Sequence, residues 1–417
     1  MTRIETLRKL FQEPRSFLFD QQNQPNLGEA ERQTGFELML QSGHLLKKLK
    51  EEVDDPKATK LEQDAIRPFS TRVRAFGLRH HLTLARPLWG WPGLQQGASS
   101  LAYVGRDDLI PLLKKICGEQ RLSLVAKGTG WGAGQERWNQ LRKSPVGVFD
   151  FREGDPLTRA TVAYSLGCGL ALGILPVVVS NEAELPFDID ISAAVFHGAG
   201  SDEQVLSEAI DRAFFSYPSV GAMSSVKRTL LDMAGQATGD DATTRVLCKR
   251  IAEGHVKDPL DAKGVAQQLL GAMGNPEFAL LTPIWPGFYP DPASPRCFHV
   301  MPFSECWSNE GRETVRQICK TRGVAYRRGD ESDENRIIRA IWEEICRANF
   351  VLVDLTGLNT NVCLELGLAH ALGRNTLIIS RDEASNETLF PEIRKLQVPR
   401  YGSGELAALV DGFLMGN

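Results

Sequence analysis

Residues 350–380 read FVLVDLTGLNTNVCLELGLAHALGRNTLIIS, and this stretch decides the fold. An apolar run ends in Asp354, a polar loop follows, a longer apolar segment closes on Gly373, and a second apolar run ends in Ser380. Short apolar runs bounded by turn residues read as buried strands. The longer segment, with Gly at its end, reads as a buried helix. Residues 146–180, VGVFDFREGDPLTRATVAYSLGCGLALGILPVVVS, repeat the order: a strand ending in Asp150, a loop, a helix with the same LGxxxALG pattern, and a strand ending in Ser180. Gly167 and Gly367, Gly173 and Gly373, and Ser180 and Ser380 are each 200 residues apart, whereas Asp150 and Asp354 are 204 apart, so the loops differ by four residues. Beyond the second strand, LPFDI at 185–189 returns as LFPEI at 389–393. The chain contains an internal duplication.

The duplication settles an ambiguity. Residues 160–181 carry no charge and are long enough on that count alone to span a bilayer, but Gly167, Gly169, Gly173 and Pro176 interrupt them. The second copy holds Glu365, His370 and Arg374 at matching positions, which lipid disfavours. No membrane segment is therefore expected. The 417 residues suggest two to three domains, and a formal charge of −4 gives no global attraction to polyphosphate, so a nucleic-acid partner is not expected. The start, MTRIETLRKLFQEPRSF, lacks the apolar core of a secretory signal, and the eight cysteines form no CxxC pair. These features predict a cytoplasmic protein with reduced thiols and no metal site.

Around the two copies the periodicity predicts a helical N-terminal region (1–100), a first β/α unit (101–200), a helical connector (201–282), a Pro-rich linker (283–296) and a second β/α unit (297–417). Strands alternating with helices make the fold class α/β, with a doubly wound, Rossmann-like parallel sheet in each unit. Ligands of such sheets bind at the carboxyl ends of the strands. Asp354 stands at that edge, and Glu365 lies four residues after Asn361, on the same helix face. Two carboxylates and an amide thus converge as candidates for chemistry, or else Asp354 only caps its loop and Glu365 only complements the helix terminus. Arg327 and Arg328, at the end of the preceding strand, either hold a phosphate or are solvated surface arginines, and backbone N–H groups near Asn361 are a second possible phosphate site. The first copy has Ser165 in place of Glu365, and its glycine-rich loop at 127–136 lacks the residues that would complete a phosphate-binding motif.

The strand CFHVMPFSE (297–305), followed by VDLTGLNTNVCLELGLAHALG (353–373), resembles the nucleoside 2-deoxyribosyltransferase-like superfamily, a relative of nucleotide N-glycosidases and TIR domains. The resemblance covers about 120 residues and implies that Glu365 is the catalytic carboxylate, with Asp354 beside it. It further implies substrate contacts from Asn361, Asn359, Met301 and Phe303; Asp330 and Arg327 complete the candidate substrate-binding set. Thr360 stands where the family usually has Pro, and Leu364 where it usually has an aromatic residue. The implied activity is cleavage or transfer at the base–sugar bond of a nucleoside, a nucleotide or NAD, with no cofactor. Breaking that bond develops oxocarbenium character at C1′, which a desolvated carboxylate stabilises or attacks. The competing expectation is a non-catalytic nucleotide-binding sensor or effector, by analogy with antiviral defence proteins. The two units are expected to pack as an intramolecular pseudo-dimer, with homo-oligomers as a further option, and the first unit is read as catalytically degenerate.

Overall fold

The computed structural model describes residues 41, 44, 83–89, 100–126, 134–152, 154–181, 194–197, 203–216, 279–281, 283–285, 290, 294–329, 337–381, 389–402 and 404–416. Most of the expected N-terminal helical region and Asp330 lie outside them, as do residues 127–133 of the glycine-rich loop.

The first unit runs β2 (Ser100–Val104), α1 (Ile110–Gln120), β3 (Ser123–Ala126), α2 (Gly134–Leu141), β4 (Val146–Asp150), α3 (Pro156–Leu172), β5 (Leu175–Ser180), β6 (Ala194–His197) and α4 (Glu203–Ser216). Its five strands are all parallel, in the order β3-β2-β4-β5-β6. The second unit runs β8 (Arg296–Val300), α5 (Ser308–Thr321), β9 (Ala325–Arg328), α6 (Ile337–Arg347), β10 (Phe350–Asp354), α7 (Thr360–Leu372), β11 (Asn375–Ile379) and α8 (Glu405–Met415). Its four strands are parallel in the order β11-β10-β8-β9, so both sheets are doubly wound and Rossmann-like. Part of the expected connector belongs elsewhere: α4 packs on the first sheet, burying Leu206, Ala209 and Ile210 with Leu113 and Val177. A short antiparallel pair also joins β1 (Thr83–Ala85) to β7 (Ala279–Leu281), where only helix is expected from the periodicity.

The repeated helices start and stop for the same local reasons. Asp155 caps α3 by accepting from the Thr158 N–H at 3.0 Å, ahead of Pro156 in the first turn. Asn359 caps α7 by accepting from the N–H groups of Asn361 (2.9 Å) and Val362 (3.3 Å). Gly173 (φ 79°) and Gly373 (φ 64°) terminate them in the left-handed region that glycine tolerates. Both helices are apolar nearly all round and almost wholly buried. Each is sandwiched, because α3 and α7 also pack against one another. A Cβ on Gly167 would overlap the carbonyl oxygen of Leu364, and one on Gly367 would overlap that of Tyr164. Adding 200 to the first pair's α3 member and subtracting 200 from its α7 member yields the second pair, the mark of a local two-fold relation.

One apolar core therefore runs from Phe149 and Leu166 of the first unit to Leu364 and Phe390 of the second, with a smaller core on the outer face of each sheet. Between the units, Tyr164 Oη accepts from Trp89 Nε1 (2.8 Å) and shares a hydrogen bond with His370 Nδ1 (3.0 Å). Burial drives the His370 pKa down to about 3, which keeps the ring neutral. The uncharged stretch from residue 160 divides into α3 and β5, and among the described residues no helix is long and apolar enough to cross a membrane.

Candidate functional site

β8 lies between β9 and β10, and the chain leaves β8 toward one neighbour and returns on its other side at β10. The crevice above their carboxyl ends is where a sheet of this order receives ligands. The segment from Met301 to Trp307 follows β8, and the segment from Asp354 to Asn361 follows β10, so both families of candidate residues rim the crevice.

Asp354 is 1% exposed and is fully engaged. Its Oδ1 accepts from the Thr356 N–H (3.0 Å) and hydroxyl (2.6 Å), and its Oδ2 accepts from the Tyr401 hydroxyl. Burial pushes its pKa up, and these hydrogen bonds and the charge of Arg381 partly offset the rise. Asp354 thus holds together the loop after β10 and the segment before α8.

Glu365 is different. It sits one turn into α7, 5% exposed, and its carboxyl has no hydrogen bond or ion pair among the described residues. Burial alone raises its pKa to about 8. The other buried carboxylates among the described residues all have donors. Asp150 pairs with Arg152, Asp354 is bonded as above, and Glu392 meets Arg137 across the two units, with Nε to Oε1 at 3.4 Å. Buried carboxyl groups are ordinarily satisfied in this way, because an unpartnered one costs the protein stability.

The other expected residues separate. Met301 is buried, whereas Phe303 is 43% exposed beside the crevice, with the Arg328 guanidinium 5.2 Å from its ring centroid. Asn361 is exposed on the same face of α7 as Glu365. Asn359 is also exposed, but its side-chain oxygen is spent on the cap. That cap occupies the N–H groups of Asn361 and Val362, so those amides are not open to a phosphate. Strand alternation turns Arg327 to solvent and buries its neighbour Arg328 at the rim. Asp330 lies outside the described residues.

Three rim residues carry no local signal in the sequence. Tyr401 reaches Asp354 across 47 positions, and Arg381 and Trp307 enter only through tertiary contact: the Arg381 guanidinium lies 5.3 Å from the Trp307 ring centroid and 5.6 Å from that of Tyr401. His299, buried beneath the rim, shares a hydrogen bond of 3.1 Å between Nδ1 and the Tyr326 hydroxyl, and burial with the nearby Arg328 charge lowers its pKa to about 3. Among the described residues no group of His, Cys, Asp and Glu is arranged to hold a metal.

The first unit's edge is closed by its own charges. Arg152 donates to Asp150 from its backbone N–H (3.1 Å), Nε (2.9 Å) and Nη2 (2.7 Å), and Nη2 also reaches Asp108 (3.0 Å). Ser165, at the position of Glu365, is fully buried, and its hydroxyl has no hydrogen-bond partner among the described residues. A hydroxyl cannot supply the negative charge that Glu365 can. No family model and no curated protein matches the chain.

Proposed function

We propose that the second unit is an N-glycosidase or glycosyltransferase acting on the base–sugar bond of a nucleoside, a nucleotide or NAD, with Glu365 as the catalytic carboxylate. One observation carries the reading: Glu365 is buried without a partner on the helix that follows the ligand-edge loop of a doubly wound sheet, while Asp150, Asp354 and Glu392 each have at least one donor. A strongly perturbed, uncompensated acid at a crevice is the arrangement that active sites maintain at a cost in stability. The motif similarity around VCLELGLAHALG supplies the reaction class.

In this reading the C1′–N bond breaks with its electron pair leaving on the base. Ionised Glu365 stabilises the oxocarbenium ion at C1′, or attacks it to form a glycosyl ester. Water then yields the free sugar, or a second base accepts the glycosyl group. Asp354 positions the loop rather than reacting, since both of its oxygens are already engaged. Asn361, on the Glu365 face, is placed to orient the sugar.

The deciding experiment incubates the protein with a panel of nucleosides, nucleotides and NAD and follows free base by chromatography. Glu365→Gln is expected to abolish base release while leaving ligand affinity within about tenfold, because shape is kept and charge is lost. Full turnover by that variant would overturn the assignment. Ligand binding by the unaltered protein without release of base would favour the sensor reading instead.

A further inference from the structure

Arg381 follows β11, which β10 separates from β8. Its guanidinium nevertheless lies 5.3 Å from the ring of Trp307, which follows β8. The two groups therefore meet near the carboxyl end of β10, where Asp354 stands. Arg381 is anchored there. The Arg381 N–H donates to Thr356 Oγ1 at 2.8 Å, the hydroxyl that itself donates to Asp354, and the guanidinium meets the face of Tyr401 at 5.6 Å. Asp354 is the carboxylate that faces it, but Asp354 spends its oxygens on Thr356 and Tyr401, and among the described residues no carboxylate lies within ion-pair distance of Arg381. A guanidinium held against Trp307 and against the ring and hydroxyl of Tyr401 is fixed in orientation, and the N–H donors that Tyr401 does not take remain for an oxyanion. The alternative phosphate holders are already engaged or turned away: Asn359 caps the amides that open α7, Arg327 faces solvent, and Arg328 is buried against Phe303 with partners of its own.

We propose that Arg381 anchors a phosphate group of the ligand, so that the substrate of this site is a phosphorylated nucleoside and not a free one. The inference rests on reading the Glu365 crevice as a nucleoside site, because phosphate is the anionic group that distinguishes nucleotides from nucleosides.

The test uses the full chain carrying Glu365→Gln, which blocks turnover, and measures calorimetric affinities for nucleosides, their 5′-monophosphates and inorganic phosphate. Monophosphates should bind at least about tenfold more tightly than their own nucleosides. Adding Arg381→Gln should erase that preference and leave nucleoside affinity unchanged within about threefold, while Arg381→Lys should retain part of it. If Arg381→Gln melts below the assay temperature, the Lys variant decides through the same ratio. Equal affinity for nucleoside and monophosphate, a preference that survives loss of Arg381, or inorganic phosphate binding as tightly as the monophosphates would each overturn the proposal. Arg381-dependent binding of monophosphates with no release of base by the unaltered protein would leave this inference standing and remove the catalytic role of Glu365. Base release from nucleosides and monophosphates at equal rates would do the reverse.

Discussion

Gly167 of the first unit packs directly on the carbonyl oxygen of Leu364, the residue that precedes Glu365. The position of the candidate catalytic carboxylate is therefore set partly by a helix from the other copy of the repeat. A methyl group at residue 167 would push on backbone, which cannot rotate aside as a side chain can. Gly167→Ala should destabilise the protein by about 1 to 3 kcal/mol and lower base release by displacing α7. Gly412→Ala, in α8 with open space around the new methyl, should instead stabilise by about 0.5 to 1 kcal/mol. Thermal melts of the two variants check this contrast, and a Gly167→Ala protein as stable as the parent would contradict the packing described.

The raised pKa of Glu365 makes both rate and stability depend on pH. If the ionised form acts, kcat/KM for base release should rise with pH and level off above about 8, and Glu365→Gln should lack the rise. Stability runs the other way. The folded state holds the Glu365 proton more tightly than the unfolded chain does, so this contribution is complete below about 4.5 and is lost as pH passes about 8. Across that window the parent should lose stability relative to Glu365→Gln by on the order of 1 kcal/mol per pH unit. Paired denaturation curves at pH 5 and pH 9 measure it, and a constant difference would contradict the burial of an unpartnered carboxyl.

Tyr401 donates to the one Asp354 oxygen that Thr356 does not engage. Tyr401→Phe leaves that buried oxygen without a donor, so it should cost about 1 to 3 kcal/mol of stability. It also loosens the loop that leads into α7, and a fall in kcat larger than any change in KM is expected. A variant with unchanged stability would show that the hydrogen bond is dispensable.

Arg137 and Glu392 form a buried pair that bridges the units, with both side chains nearly inaccessible. Arg137→Met strands the Glu392 carboxylate and should destabilise by about 3 to 5 kcal/mol, whereas Arg137→Met with Glu392→Leu should recover most of the loss. Urea denaturation of the single and double variants gives the coupling. Additive effects would mean that the pair is not energetically linked.

The parallel Rossmann-like architecture was legible in residues 146–180 and 350–380, because continuous apolar runs ending in Asp, Asn and Gly stops have few other physical solutions. The repeat also located Glu365 and its missing counterpart Ser165, since both follow from register within a single helix. Local reading went astray where a feature depended on distant chain: α4 joined the first sheet because its apolar stripe found a partner there. Of the two arginines left open between phosphate and solvent, strand alternation exposes Arg327 and buries Arg328. Asn359 could be aligned from the sequence, yet only its geometry reveals that it consumes the helix-start amides. Tyr401, Arg381 and Trp307 come from three separate segments and meet only at the strand ends. Periodicity is a property of neighbours in the chain, so the sequence alone determined the repeated strand–helix–strand segments at 146–180 and 350–380 and the residue types that they carry, but not the β1–β7 pair. Which charges are satisfied and which is left bare depends on groups dozens or hundreds of residues apart, and only the packing of the two sheets decided that Glu365 would be buried without a donor while Asp354 would not.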